Sequence, residues 1–156
     1  MAGHYCDEEG KVDDTFECDA GYYCMGNTPV NRPLSETDDK GDRCKAGMFC
    51  IQNSSAGEDC PLGTFSSARG LREEAECNEC PRGYLCDELG LLYDNMFDNK
   101  KCDAGHYCTQ GNTTTYDTKL PCDVGQYCPD PATNTDGQPN YAPFFCEAGT
   151  YQASTG

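Results

Sequence analysis

Fourteen cysteines in 156 residues are the chain's main chemical resource, and their spacing is regular. Five heptads read Cys-x-x-Gly-x-Φ-Cys, where Φ is a large apolar residue: Cys18 to Cys24, Cys44 to Cys50, Cys80 to Cys86, Cys102 to Cys108 and Cys122 to Cys128. Thiols at this density are stable as disulfides, and disulfides persist in oxidising compartments. The pattern therefore predicts an extracellular or cell-surface protein. Cys77-Asn-Glu-Cys80 has the spacing of a zinc or redox pair. With no second pair at metal spacing, the expectation is that it is structural. His4 and His106 are the only histidines, and both occupy the same offset of the repeat, which fits repeat side chains better than a ligand pair or a catalytic base.

Two glycosylation sequons, Asn53-Ser54-Ser55 and Asn112-Thr113-Thr114, predict covalent glycans on surface loops. Acidic residues cluster at Asp7-Glu8-Glu9, Asp13-Asp14, Asp38 to Asp42 and Glu73 to Glu76, and a solvated surface accounts for them. Calcium is the sharper reading of the same clusters. The nearest approach to a calcium loop, Asn134-Thr135-Asp136-Gly137, lacks the preceding Asp and has Pro143 where the closing Glu would stand. No Gly-x-Ser-x-Gly, P-loop or His-Glu-x-x-His motif occurs. The sequence assigns no catalytic, cofactor-binding or metal-ligating residue, and the expectation is that the chain is not an enzyme.

Two incomplete motifs extend the pattern: Cys60-Pro-Leu-Gly-Thr-Phe-Ser66 and Cys146-Glu-Ala-Gly-Thr-Tyr-Gln152 lack the closing Cys. An eighth copy, Ala2-Gly3-His4-Tyr5-Cys6, repeats Ala104 to Cys108 letter for letter. Repetition of this kind organises the whole chain. Modules of roughly 20 residues vary in length only between motifs, as surface loops on a fixed scaffold do. The two Gly-Thr-aromatic copies suggest a longer, four-module period. The chain accordingly divides into modules over 1–59, a second set over 60–145, and the truncated start of a further module over 146–156. The expectation is a window cut from a longer periodic polypeptide.

Composition sets the fold class. Val, Ile, Leu and Phe together supply 18 of 156 residues. A chain so poor in apolar side chains, with a net charge of −16, would be disordered without cross-links. The charge also excludes nucleic acid as a partner, since phosphates need Lys and Arg. No apolar run is long enough for a membrane span. The predicted fold is a small disulfide-rich repeat protein, with short β-hairpins and turns stacked into an elongated rod, little helix and a minimal core. Helix is allowed only as a turn or two within 69–77 and 86–93.

Fourteen cysteines permit on the order of 10⁵ pairings. Economy of chain closure predicts that each inter-motif loop is tied at its base, as Cys6–Cys18, Cys24–Cys44, Cys86–Cys102, Cys108–Cys122 and Cys128–Cys146. Each closure would stabilise by about 3 kcal/mol. The region of Cys50, Cys60, Cys77 and Cys80 stays open, with Cys60–Cys77 plus Cys50–Cys80 preferred over a strained Cys77–Cys80 bridge. A Cys18–Cys24 bridge is incompatible with this scheme.

Cys60-Pro-Leu-Gly-Thr-Phe-Ser-Ser-Ala-Arg-Gly, running on through Cys77-Asn-Glu-Cys80-Pro-Arg-Gly-Tyr-Leu-Cys86, resembles the ephrin-receptor-like cysteine-rich repeat. The segment from Cys146 to Gly156 resembles its start. The match is close over 60–86 and looser elsewhere, where Asp, Lys or Glu replaces the Pro after Cys. The chain is also similar to tumour-necrosis-factor-receptor-like and EGF-like modules. The resemblance implies a structural or adhesive ectodomain and transfers no catalytic residue. The expected function is a secreted structural glycoprotein that self-assembles into a filament, surface hair or coat, or else the adhesive ectodomain of a receptor.

Overall fold

The computed structural model describes residues 2–5, 16–26, 28–34, 40–111, 119–128 and 143–150. Twelve short strands, one 3₁₀ turn and one helix make up its regular structure. In chain order the strands are β1 (His4–Tyr5), β2 (Phe16–Glu17), β3 (Tyr22–Cys24), β4 (Gly41–Arg43), β5 (Met48–Phe49), β6 (Glu58–Asp59), β7 (Thr64–Phe65), β8 (Asn78–Glu79), β9 (His106–Cys108), β10 (Lys119–Pro121), β11 (Gln126–Tyr127) and β12 (Phe144–Phe145). They pair as six two-stranded sheets of sequential neighbours. This is a small disulfide-rich hairpin protein.

The heptad builds each hairpin in the same way. The residue after the opening Cys accepts a bond from the amide three positions on, as Tyr22 to Asp19 (3.1 Å), Met48 to Lys45 (3.1 Å) and Gln126 to Asp123 (2.9 Å). Glycine sits third in this turn with φ between +78° and +91° in all eight copies, the angle a type II turn requires. The aromatic half of the motif then runs out as a strand. Its antiparallel partner is the stretch just before the next opening Cys. In the β3–β4 pair Tyr22 faces Arg43 and Cys24 faces Gly41; in β9–β10 Tyr107 faces Leu120.

The turn reverses the chain within the heptad and brings its two cysteines together. Bridges form at Cys18–Cys24, Cys44–Cys50, Cys80–Cys86, Cys102–Cys108 and Cys122–Cys128, with Cα atoms 5.8–6.2 Å apart. This overturns the loop-base scheme. Cys24–Cys44, Cys50–Cys80, Cys86–Cys102, Cys108–Cys122 and Cys128–Cys146 are not formed, and Cys18 is taken by Cys24 rather than Cys6. A β-ladder closes the base of each inter-motif loop except the one after Cys86, which the single β-bridge Tyr84–Lys101 and the Leu85 amide donating to the Lys100 carbonyl (2.8 Å) close, so no disulfide is needed there. Cys60–Cys77 is formed as expected. Cys146 carries a free, partly buried thiol, because Cys128 is bonded to Cys122 and position 152, where a closing Cys would stand, is Gln. Cys6 lies outside the described residues.

Successive modules are stapled through the motif glycine. Its carbonyl accepts the amide of the next opening cysteine in seven consecutive junctions: Cys18 to Gly3, Cys44 to Gly21, Cys60 to Gly47, Cys80 to Gly63, Cys102 to Gly83, Cys122 to Gly105 and Cys146 to Gly125, at 2.7–3.0 Å. In five of them the glycine amide also donates to the next closing cysteine, as Gly21 to Cys50 (2.8 Å) and Gly83 to Cys108 (2.9 Å). Both peptide groups of one residue thus serve the following module. A Cβ on Gly21 would lie 2.7 Å from the Gly70 carbonyl oxygen, so only glycine permits the approach.

Contacts divide the chain into two compact units, 1–61 with 66–78, and 62–65 with 79–156. The first has a small apolar cluster of Phe49, Cys60, Leu71 and Cys77. The second gathers Cys80, Tyr84, Cys86, Leu91 and Met96, with Phe65 packed against them. The bonded cysteines are themselves the bulk of the buried apolar surface.

The 3₁₀ turn Glu74–Glu76 falls inside the first stretch allowed for helix. The α-helix α1 (Tyr93–Asn99) starts at the end of the second and continues past it. Its Asp/Asn content reads as loop. However, Tyr93, Met96 and Phe97 stand at i, i+3 and i+4, and Met96 is 1% exposed. Phe97 stacks on Tyr84 and Tyr93 at centroid distances of 5.9 and 5.8 Å, and Lys101 Nζ lies 5.3 Å from its ring centre.

Candidate binding surface

The motif positions that carried possible chemistry are mostly spent on structure. Cys77 and Cys80 belong to different bridges, with Cys60 and Cys86, so the Cys-x-x-Cys pair holds no metal and has no thiol. His4 and His106 make the same local contact, Nδ1 to the carbonyl of Ala2 (3.4 Å) and of Ala104 (3.3 Å). This is repeat geometry carried by the backbone. Among the described residues no three His, Cys, Asp or Glu side chains converge as a metal site. Of the acidic clusters, Asp42 accepts from Arg69 (2.8 Å) and Glu76 accepts the Arg72 amide (2.5 Å). Asp7-Glu8-Glu9, Asp13-Asp14 and the 134–137 stretch lie outside the described residues.

Asn53 is exposed in a left-handed turn at φ +67°, with its amide donating to the Cys18 carbonyl (2.9 Å). Gly70 and Gly111 hold the equivalent place, at φ +79° and +71°, and donate to Cys44 and Cys80. Asn is the residue other than Gly that best tolerates this angle. Within the sequon Ser54 is buried, its hydroxyl donating to the Ile51 carbonyl (2.7 Å), while Ser55 is exposed. Asn112 lies outside the described residues.

Two clefts of the first unit are lined by described residues. One, of about 210 Å³, is lined by Asp19, Ala20, Tyr22, Arg32 and Arg72. Arg32 Nε donates to Asp19 at 2.6 Å, and this hydrogen bond and charge hold the guanidinium above its ordinary pKa. The other, of about 270 Å³, is lined by Tyr23, Met25, Lys45, Met48, Ser55, Ala56 and Gly57. Both use the same motif offsets, the residue after the opening Cys and the residue after Gly. The first places Asp19 and Tyr22 there, the second Lys45 and Met48. The scaffold thus repeats a position while the side chains change its chemistry. The clefts themselves do not show in the repeat, because their chemistry lies in what differs between modules; the available signal was Met48, where the other motifs place His, Tyr, Thr or Gln after the glycine.

Within the second unit Lys100 Nζ donates to Asp87 (2.7 Å) and Glu88 (2.5 Å). Burial lowers its pKa, and the two carboxylates outweigh that, so the net direction is upward. It ties the loop after Cys86 to the end of α1. Among the described residues no helix is long and apolar enough to cross a membrane. No family model matches the chain, and no curated protein matches it either.

Proposed function

We propose that this chain is a non-enzymatic structural segment of a secreted, repetitive glycoprotein that builds an extracellular filament, surface hair or coat by self-association. The observation that carries the reading is the glycine staple, a junction that serves every successive pair of modules in the same way. Repeating one junction presents equivalent surfaces along the chain, and equivalent surfaces meeting head to tail give open assemblies. A framework whose buried surface is largely cystine suits the oxidising space outside cells. The ephrin-receptor-like resemblance over 60–86 agrees with such a setting, and Asn53 offers an exposed acceptor for a glycan.

Sedimentation velocity on the oxidised chain across a hundredfold concentration range, with negative-stain imaging of the largest species, tests this reading. Growing, linear assemblies support it. A monomer at every concentration defeats it. The second reading, an adhesive receptor ectodomain, draws on the Asp19–Arg72 cleft; it predicts saturable binding to a different protein by a chain that stays monomeric.

A further inference from the structure

Phe145 stands out against the repeat. The residue just before the opening cysteine is Glu17, Arg43, Asp59, Glu79, Lys101 or Pro121 in the other motifs, and all but the proline are charged. Here an aromatic ring replaces the charge and is 78% exposed, the highest value for any large apolar residue described. Lone exposed apolar residues are ordinary on surfaces. A phenylalanine at a place the scaffold otherwise keeps charged is different, because nothing in the hairpin requires it.

The cleft of Tyr23, Met25, Met48 and Ala56 has the opposite deficit, apolar walls with no ring inside. At about 270 Å³ it falls below the roughly 300–1,000 Å³ of small-molecule sites and suits one aromatic side chain. Two methionines give it adaptable, polarisable walls that favour an aromatic guest. Charge agrees with the match. Lys45 lies on the cleft rim and Glu147 lies two residues from Phe145. Both side chains are exposed, and among the described residues neither charged group is in a hydrogen bond or ion pair, the Thr150 hydroxyl reaching only the Glu147 carbonyl (2.8 Å).

We infer that Phe145 of one copy inserts into the Tyr23–Met25–Met48 cleft of a second copy, with Glu147 of the first facing Lys45 of the second. Made in one direction only, the contact is heterologous and propagates copy upon copy, whereas the same contact made reciprocally would close a two-fold dimer. The inference rests on the self-association reading and names the surfaces that would carry it.

The test uses the full oxidised chain with two variants, Phe145→Ser without the knob and Met48→Asp with a polar cleft, each checked by disulfide mapping for the native bridges. Alone, each variant should need at least tenfold higher concentration to assemble. Mixed in equal amounts, they should stop at a one-to-one dimer, since each supplies the half the other lacks. Lys45→Glu should weaken assembly several-fold and Lys45→Glu with Glu147→Lys should restore it, a pair confined to exposed side chains. Wild-type assembly that both single variants reproduce, or a mixture that stays monomeric, overturns the inference while leaving self-association intact. A wild-type chain that never assembles removes both.

Discussion

Ser66, fully buried, stands where six other motifs place a closing cysteine, and Cys60, six residues before it, is bonded to Cys77 instead. The serine hydroxyl accepts the Ala68 amide at 3.2 Å, so the vacated position keeps a polar partner. One substitution in the repeat thus redirects a bridge from the heptad to the following loop, which it closes over a separation of 17 residues. That longer closure is worth about 3 kcal/mol against about 2 kcal/mol for a heptad.

Restoring the cysteine should reverse the choice. In Ser66→Cys the introduced thiol competes with Cys77 for Cys60, and the short heptad bridge leaves Cys77 open to alkylation. Peptide mapping without reductant reads the outcome; an unchanged Cys60–Cys77 bridge in every molecule would show that the loop, not the motif, sets the pairing.

The wild-type map itself is a prediction. Five heptad bridges and Cys60–Cys77 should be recovered, and Cys146 should take up iodoacetamide without denaturant, being only partly buried. A Cys24–Cys44 or Cys108–Cys122 peptide would contradict the fold.

Gly21 and Gly125 share a positive φ, +88° and +87°, and differ in surroundings. A Cβ on Gly21 meets the Gly70 carbonyl at 2.7 Å, whereas one on Gly125 meets nothing within 4 Å. Gly125→Ala should therefore cost only the backbone term, about 1 kcal/mol. Gly21→Ala should cost about 3 kcal/mol, adding a clash that backbone atoms cannot easily relieve. Denaturant midpoints under non-reducing conditions compare them, and equal losses would mean the staple tolerates a methyl group.

Alkaline pH should weaken the second unit. Burial raises the pKa of Tyr84, with the nearby Tyr93 adding to it, so the folded state holds that proton more tightly than the unfolded one. Lys100 is raised as well: burial lowers it, and Asp87 and Glu88 prevail. For both groups the stabilisation is complete below the unfolded pKa, near 10, and is lost as pH rises through the folded value. Melting curves from pH 7 to 11 in a background with Cys6→Ser and Cys146→Ser, which suppresses thiolate exchange, should show the decline, and Tyr84→Phe should flatten part of it.

At Asn53 the backbone angle and the sugar can be separated. Asn53→Gly keeps the left-handed turn and should be near neutral in stability, while Asn53→Gln should cost about 1 kcal/mol. Both should remove one glycan from protein secreted by eukaryotic cells, read as intact mass. Wild-type protein of unmodified mass at this peptide would refute the acceptor role.

Much of this architecture was legible in the residues. The repeated Cys-x-x-Gly-x-Φ-Cys motif predicted short hairpins and turns, and Gly21 in its turn followed by Tyr22 in its strand are that structure. Apart from Cys60–Cys77, pairing was not legible, because chain-closure economy treats each loop as floppy until a disulfide ties it. The Cys24–Gly41 and Tyr22–Arg43 ladder had already tied it. The helix was hidden for a related reason: Asp94, Asn95, Asp98 and Asn99 carry loop composition, and only the burial of Met96 between them selects a helix. The two clefts escaped because their chemistry lies in what differs between modules.

Closing loops with ladders and heptads with cystine also decides how the molecule answers force. The bridge Cys18–Cys24 shortens the extensible chain by a few residues, whereas the stretch from Cys24 to Cys44 is closed by the hydrogen bonds of its ladder. Pulled from its ends, the protein should yield at the ladders one by one, each giving up slack of up to about 65 Å for a loop of that length. The covalent rings would stay folded through it, as fixed beads on a lengthening line, ready to re-form the ladder when tension falls.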